Sequence, residues 1–312
     1  MRVTGGARVV PIALVLAVCA LRHASPAAAG ELSPTVAGTL QPMITTSELV
    51  VGRNRFAFGL LKDGSLLAAG DVALRVYDIR EPEAQLVAVT PAFYHALEVI
   101  EQGRHIHIHP DGTRHAHDTA TDVRGIYVAQ LTLERPGPWG LEIVVRQANG
   151  AVEAARLSVD ALPVPRSPMP GTPAPRSRNL IASDVSDLRQ IDSSEPPDAR
   201  LHQTRIADAI REGRPQVIVF ATPKYCTSRV CGPVLDVVRT LIPAYGRRVA
   251  FVHQEIWQPG GMDKLAPTVE EWNLRSEPWT FVVGGDGVIR ARFEGLTTRR
   301  ELEAVLRQML RP

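Results

Sequence analysis

The 312-residue chain is short of cysteine, lysine and aromatic side chains: three cysteines, three lysines (Lys62, Lys224, Lys264), and Phe, Trp and Tyr at 5% together. Arginine therefore supplies nearly all of the 35 basic residues, set against 33 acidic ones, and the formal charge is only +2. No block of five or six basic residues occurs, so the stripe expected of a nucleic-acid-binding surface is missing. Beyond residue 30 no apolar run reaches the ~18 residues of a membrane span, which excludes a multispanning membrane protein. Hydrophobic residues at 45% and charged residues at 22% exclude a largely disordered chain. At roughly 100–200 residues per domain, the length suits two domains.

What is present begins with an address. Arg2 and Arg8 precede the 13-residue apolar run Val9–Leu21, and Ala27-Ala28-Ala29 forms a small-residue cleavage site. Residues 1–29 thus read as a secretory signal, and the mature chain has no membrane span. Leu16-Ala17-Val18-Cys19 is a lipobox-like alternative, with Val18 bulky for that role. Cleavage after Ala29 removes three arginines and no acid, so +2 becomes −1, and it leaves two cysteines, Cys226 and Cys231. The expected location is periplasmic or extracellular, with lipid anchoring at Cys19 as the alternative. An even cysteine count there permits a disulfide.

Residues 161–178 carry six prolines in eighteen positions, a composition for an extended, semi-rigid linker. Before it, 31–160 holds short apolar runs such as Arg55–Leu61, Asp71–Asp78, Ile126–Leu133 and Leu141–Arg146, separated by turn residues, which predicts an all-β antiparallel sandwich. Gly125-Ile126-Tyr127-Val128-Ala129 followed by Pro136-Gly137-Pro138-Trp139-Gly140 resembles the closing strands of exported immunoglobulin-like sandwiches, some of them in copper-handling systems.

After the linker, 179–312 alternates. Arg205–Glu212 predicts a helix ended by Gly213 and Pro215. Val217–Phe220 reads as a buried strand, and Val234, Val237, Val238 and Leu241 share a helical face. Val249–Val252 is a further strand, Val269–Leu274 a brief helix, and Thr280–Val283 with Val288–Phe293 a strand pair. Thr298 and Glu301 form a capping box for a last helix. This order carries a cysteine directly after the first central strand, in Phe220-Ala221-Thr222-Pro223-Lys224-Tyr225-Cys226, and a proline before the hairpin, in Glu277-Pro278-Trp279-Thr280-Phe281. It resembles the thioredoxin superfamily. The resemblance implies an α/β thioredoxin-like fold and a cis Pro278 packed beside the cysteines.

The spacing departs from that family: four residues separate Cys226 from Cys231 where thioredoxins carry two. A similar pair occurs in one class of peroxiredoxin, but Pro223 stands where those proteins place Thr or Ser. Copper-delivering relatives use three residues and a later histidine, for which His253 is an approximate counterpart. On an unbroken helix, positions five apart differ by about 140°, so a bond requires Cys226 to precede the helix. Cys226, near a helix N-terminus with Lys224 and Arg229 nearby, is then the expected nucleophile, Cys231 the resolving cysteine, and Pro278 the shaper of the groove. A plain stabilising disulfide is the alternative. Trp279 and Tyr225 either flank the site or serve as core aromatics. His253 and Glu255 read as core or edge packing.

Five of nine histidines fall within thirteen residues, His105, His107, His109, His115 and His117. Pro110-Asp111-Gly112 predicts a hairpin loop. Pairing His109 with Thr113 sets His107 opposite His115 and His105 opposite His117, gathering four imidazoles on one face. Copper, then zinc, is the expected metal. Two functions follow: an exported thiol–disulfide redox protein acting on exported protein thiols or a redox partner, or a non-enzymatic copper-binding or copper-delivery protein. A structural protein stapled by its cysteines is the third. No metal is required for the first, and the oligomeric state is open.

Overall fold

The computed structural model describes residues 40–68, 70–101, 104–109, 111–120, 124–226, 228 and 230–311, with backbone alone at 108 and 117–120. The leader at 1–29, Cys19, and Thr227 and Arg229 between the cysteines lie outside the described residues. Twelve strands precede the proline-rich stretch: β1 Leu40–Ile44, β2 Leu49–Val50, β3 Gly52–Lys62, β4 Ser65–Leu66, β5 Asp71–Asp78, β6 Gln85–Ala96, β7 Ile100–Glu101, β8 Arg104–Ile108, β9 Arg114–Ala120, β10 Gly125–Leu133, β11 Gly137–Arg146 and β12 Val152–Leu162.

Nine of them form one sheet in the order β1-β3-β10-β6-β5-β11-β12-β2, with β4 beside β3. Alternation places Phe56, Phe58 and Leu60 of β3, Val72, Leu74 and Val76 of β5, and Trp139, Leu141, Ile143 and Val145 of β11 in a shared core. The sheet curls on itself: β2 pairs in parallel with β12, then Gly52, at φ +101°, turns the chain into β3. β7, β8 and β9 make a separate three-stranded sheet.

After the prolines come α1 Ile206–Arg211, β13 Gln216–Ala221, α2 Cys231–Tyr245, β14 Ala250–Glu255, α3 Pro267–Glu271, β15 Trp279–Val283, β16 Ile289–Glu294 and α4 Arg299–Met309. The sheet order is β14-β13-β15-β16, with β13 parallel to β14 and antiparallel to β15. β13 is buried on both faces. Ile218 and Phe220 join Trp272 and Phe281 on one side. Val217 and Val219 join the α2 stripe of Val234, Val237, Val238 and Leu241 on the other. Thr298 and Glu301 form the capping box of α4.

The expected fold class, an immunoglobulin-like sandwich followed by a separate α/β thioredoxin-like domain, is corrected by this arrangement. The described chain is mostly strand, in large curled sheets with only four α-helices, and no distinct thioredoxin-like domain stands out. The physical reasons are local and tertiary. Gly213 in the left-handed region (φ +68°) ends α1 after six residues, and Asn273 (φ +49°) follows α3 after five. Nine strands of the first half form one continuous curled ladder instead of two facing sheets, with β7–β9 apart from it. The α2 core also includes Ala57, Leu97, Val99, Ile126 and Val128 from the first half, so the two halves share apolar burial.

The proline-rich stretch lies along β16. Gly171 N–H donates to Ile289 O (2.9 Å), Ile289 N–H to Thr172 O (3.0 Å) and Ala174 N–H to Gly287 O (2.9 Å). Polar links join the halves as well. Arg55 of β3 binds Glu301 of α4 at 2.8 Å, and Arg292 of β16 binds Glu48 at 2.7 Å. Glu98 accepts the Arg299 and Arg300 backbone N–H groups at the start of α4.

Candidate functional site

β13 runs straight into the loop that carries Cys226, and Cys231 is the first residue of α2. Cys226 thus precedes the helix, and its disulfide with Cys231 spans 6.1 Å between Cα atoms. The two sulfurs differ in setting. Cys226 is half-buried, with Ser228 Oγ 3.1 Å from its Sγ, whereas Cys231 is sealed in the α2 core. Val230 at the N-cap offers no side-chain hydrogen bond, so α2 presents its first backbone N–H groups uncapped by a side chain.

Lys224 and Tyr225 lie in this loop, the Lys224 ammonium 5.4 Å from the Tyr225 ring centre. Pro278 follows a cis peptide bond and directly precedes β15, whose Trp279 pairs with Phe220 of β13. Trp279 is buried, donates to Ser276 Oγ (3.0 Å) and lies under the Arg292 guanidinium.

The histidine hairpin pairs His107 with His115, and His109 N–H donates to Thr113 O at 2.9 Å. A register shift between Arg104 and Ile106 then pairs Arg104 with Ala120, which takes His105 out of the regular ladder opposite His117. Of the four imidazoles expected on one face, His107 and His115 sit with His109, ring centres 4.7–5.4 Å apart. His109 Nε2 lies 2.6 Å from His115 Nδ1. The His117 side chain lies outside the described residues.

His105 and His107 meet a residue that the periodicity of α2 conceals. His105 Nε2 is 2.8 Å and His107 Nδ1 3.1 Å from Asp236 Oδ2, and the Asp236 side chain is 1% exposed. Burial pushes the Asp236 carboxyl up, but His105, His107 and the Arg239 charge hold it well below the usual carboxylate range. Arg239, one turn further along α2, donates to Asp236 (2.7 Å) and to Ser194 Oγ (2.7 Å), and lies 3.3 Å from Asp198.

Ser194 leads to a buried trio of metal-ligating residue types, Asp192, His202 and His253, with donor atoms within 4.8 Å of one another. Asp192 Oδ2 is 3.1 Å from His202 Nε2, and Oδ1 is 3.4 Å from His253 Nδ1. Ser194 N–H and Oγ–H donate to Oδ1, and Asp198 N–H donates to Oδ2. Burial pushes Asp192 up, but His253 and His202 hold it far below its ordinary value. Burial leaves His202 lowered. His253, also penalised by burial, ends raised because of the Asp192 charge. Its Nε2–H donates to the carbonyl of Ala221, the last residue of β13 (3.0 Å), and Ser193 Oγ accepts from Lys224 N–H (3.3 Å). The trio therefore stands directly behind the cysteine loop.

Asp192, Asp198, His202, Asp236 and Arg239 were not among the residues expected at a site. Asp236 and Arg239 carry one legible signal: an i, i+3 charged pair inside an otherwise apolar helix. No family model matches this chain, and no curated protein matches it. Among the described residues, no helix is long and apolar enough to cross a membrane.

Proposed function

We propose that the Cys226–Cys231 pair performs thiol–disulfide exchange with protein thiols in an exported setting. The observation that carries this reading is the asymmetry of the two sulfurs. A half-buried Cys226 sits against the start of a 15-residue helix, and a sealed Cys231 sits within bonding distance. The helix N-terminus favours the Cys226 thiolate. That thiolate attacks a substrate disulfide, forms a mixed disulfide and expels the first substrate thiolate. Cys231, deprotonated, then attacks Cys226 Sγ and expels the second. Two electrons pass to the substrate as the protein pair is oxidised, and the reverse sequence oxidises a dithiol. Burial of Cys231 protects it from outside thiols and leaves Cys226 as its partner. The leader-like pattern at 1–29 and an even pair of cysteines after its removal support an oxidising compartment.

The test equilibrates the protein in thiol/disulfide buffers, traps free thiols by alkylation and reads the mass shift. A potential well above about −300 mV, with disulfide reductase activity lost in Cys226→Ser, supports exchange. A potential below that value assigns the bond a stabilising role and overturns the reading.

Copper binding at the hairpin is the second reading, supported by the 2.6 Å approach of His109 to His115. It requires copper(II) uptake that falls in His109→Ala and His115→Ala while the reduction potential stays unchanged. Uptake indifferent to both substitutions removes it.

A further inference from the structure

Asp192 is a carboxylic side chain sealed from solvent, 0% exposed. Neighbouring buried carboxylates have arginines: Asp198 holds Arg200 and Arg239, and Asp236 holds Arg239. Among the described residues Asp192 has none: besides the neutral donors of Ser194 and the Asp198 N–H, the groups that face it are the two imidazoles. Positive charge to match this buried carboxylate therefore has to come from the side of the two rings, as a bound cation or a protonated imidazole.

The donor set fits a divalent ion. One imidazole nitrogen faces each carboxylate oxygen, at 3.1 and 3.4 Å. Bonds of about 2.0–2.2 Å at tetrahedral angles place neighbouring zinc ligands roughly 3.3 Å apart. His253 Nδ1 is completely buried, aimed at Asp192, and forms no hydrogen bond. The opposite nitrogen donates to a backbone carbonyl, that of Ala221, the arrangement that orients a metal-ligating histidine. Asp192 is likewise held from behind by Ser194 and Asp198.

We infer that Asp192, His202 and His253 bind a zinc-class divalent cation at a buried structural site, with Asp192 supplying a carboxylate oxygen and each histidine one nitrogen. The site differs from the hairpin histidines and is independent of the redox reading. Its place fixes its consequence. His253 grips the end of β13 and Ser193 accepts from the Lys224 amide, so the ion ties the segment at 192–194 to the loop before Cys226. Because the site is sealed, the ion enters as the chain folds and exchanges slowly afterwards.

The test uses the full chain produced in zinc-supplemented and in cobalt-supplemented medium. Elemental analysis is expected to find about one zinc per chain that survives dialysis against a chelator. Cobalt-grown protein is expected to show visible absorption from the bound ion. His202→Asn and His253→Asn are expected to lose at least about tenfold in metal content. A His109→Ala, His115→Ala double variant is expected to keep it. Folded wild-type protein without metal and without cobalt absorption overturns the inference, and leaves the trio an imidazolium–carboxylate knot. Metal that disappears with the hairpin histidines while His253→Asn retains it overturns it as well. Should His253→Asn fail to fold, the wild-type cobalt spectrum and His202→Asn decide.

Discussion

Replacing Asp236 by alanine tests whether the histidine hairpin is anchored to α2. The carboxylate is buried and engages three groups, His105 at 2.8 Å, His107 at 3.1 Å and Arg239 at 2.7 Å. Removing it leaves the Arg239 charge with Asp198 and Ser194 alone, and leaves two imidazoles facing an apolar gap. Breaking one side of a buried ion pair costs about 3–5 kcal/mol. At roughly 2–4 °C per kcal/mol for a large domain, Tm should fall by about 6–20 °C. Asp236→Asn keeps the shape and one acceptor, so its cost should be nearer 1–3 kcal/mol, roughly that of a buried hydrogen bond to a charged group. Calorimetry and urea titration give the size of the loss. Hydrogen exchange gives its location, because the anchoring argument requires residues 104–109 and 114–116 to lose protection before β13 does. The acid limb carries the same signature. The folded Asp236 carboxyl lies below its ordinary value, so its contribution is complete above about pH 3.9 and is lost as pH falls through the folded value. A loss under about 1 kcal/mol, or a large loss with hairpin protection unchanged, would refute the reasoning.

In the reduced protein, Cys226 should alkylate faster than the fully buried Cys231 by on the order of a hundredfold, as measured by peptide mass mapping. Leu241→Ala empties a fully buried position between α2 and the sheet and should cost about 2–5 kcal/mol in urea titration. Gly52→Ala meets no atom within 4 Å, so its expected loss of about 1–2 kcal/mol reports the φ of +101° alone. Burial pushes the Glu142 carboxyl up, but Arg156, Arg75 and Tyr77 hold it below its ordinary value. Its stabilisation is therefore present above about pH 4.3 and lost as pH falls through the folded value, and Glu142→Gln should flatten that part of the acid unfolding profile.

Local rules located the elements of the C-terminal stretch because each carries its own signal. The apolar stripe of α2, the capping box at Thr298 and Glu301, and the continuous run of β13 depend only on residues near them in sequence. The same holds for the hairpin loop, where Gly112 at φ +88° turns the chain and His107 meets His115. The argument from helix geometry that Cys226 must stand before the helix also needed nothing beyond the spacing of two cysteines.

Fold class and the polar core were decided elsewhere. Alternation along β3 and β10 marks two faces without saying what covers the second, and here the α2 layer covers Ala57, Ile126 and Val128. That shared burial joins the halves on either side of the proline-rich stretch. The register shift at His105 is equally invisible to pairing arithmetic, because it answers to Asp236, 131 residues further along the chain. Asp192, His202 and His253 come from a loop, a short turn and a strand, and no spacing rule links them. By itself the sequence determined elements, turns and the order of the cysteines, since those follow from short-range sterics and periodicity. Only the tertiary structure decided which charges are buried together, because the energy of a buried charge depends on its neighbours in space.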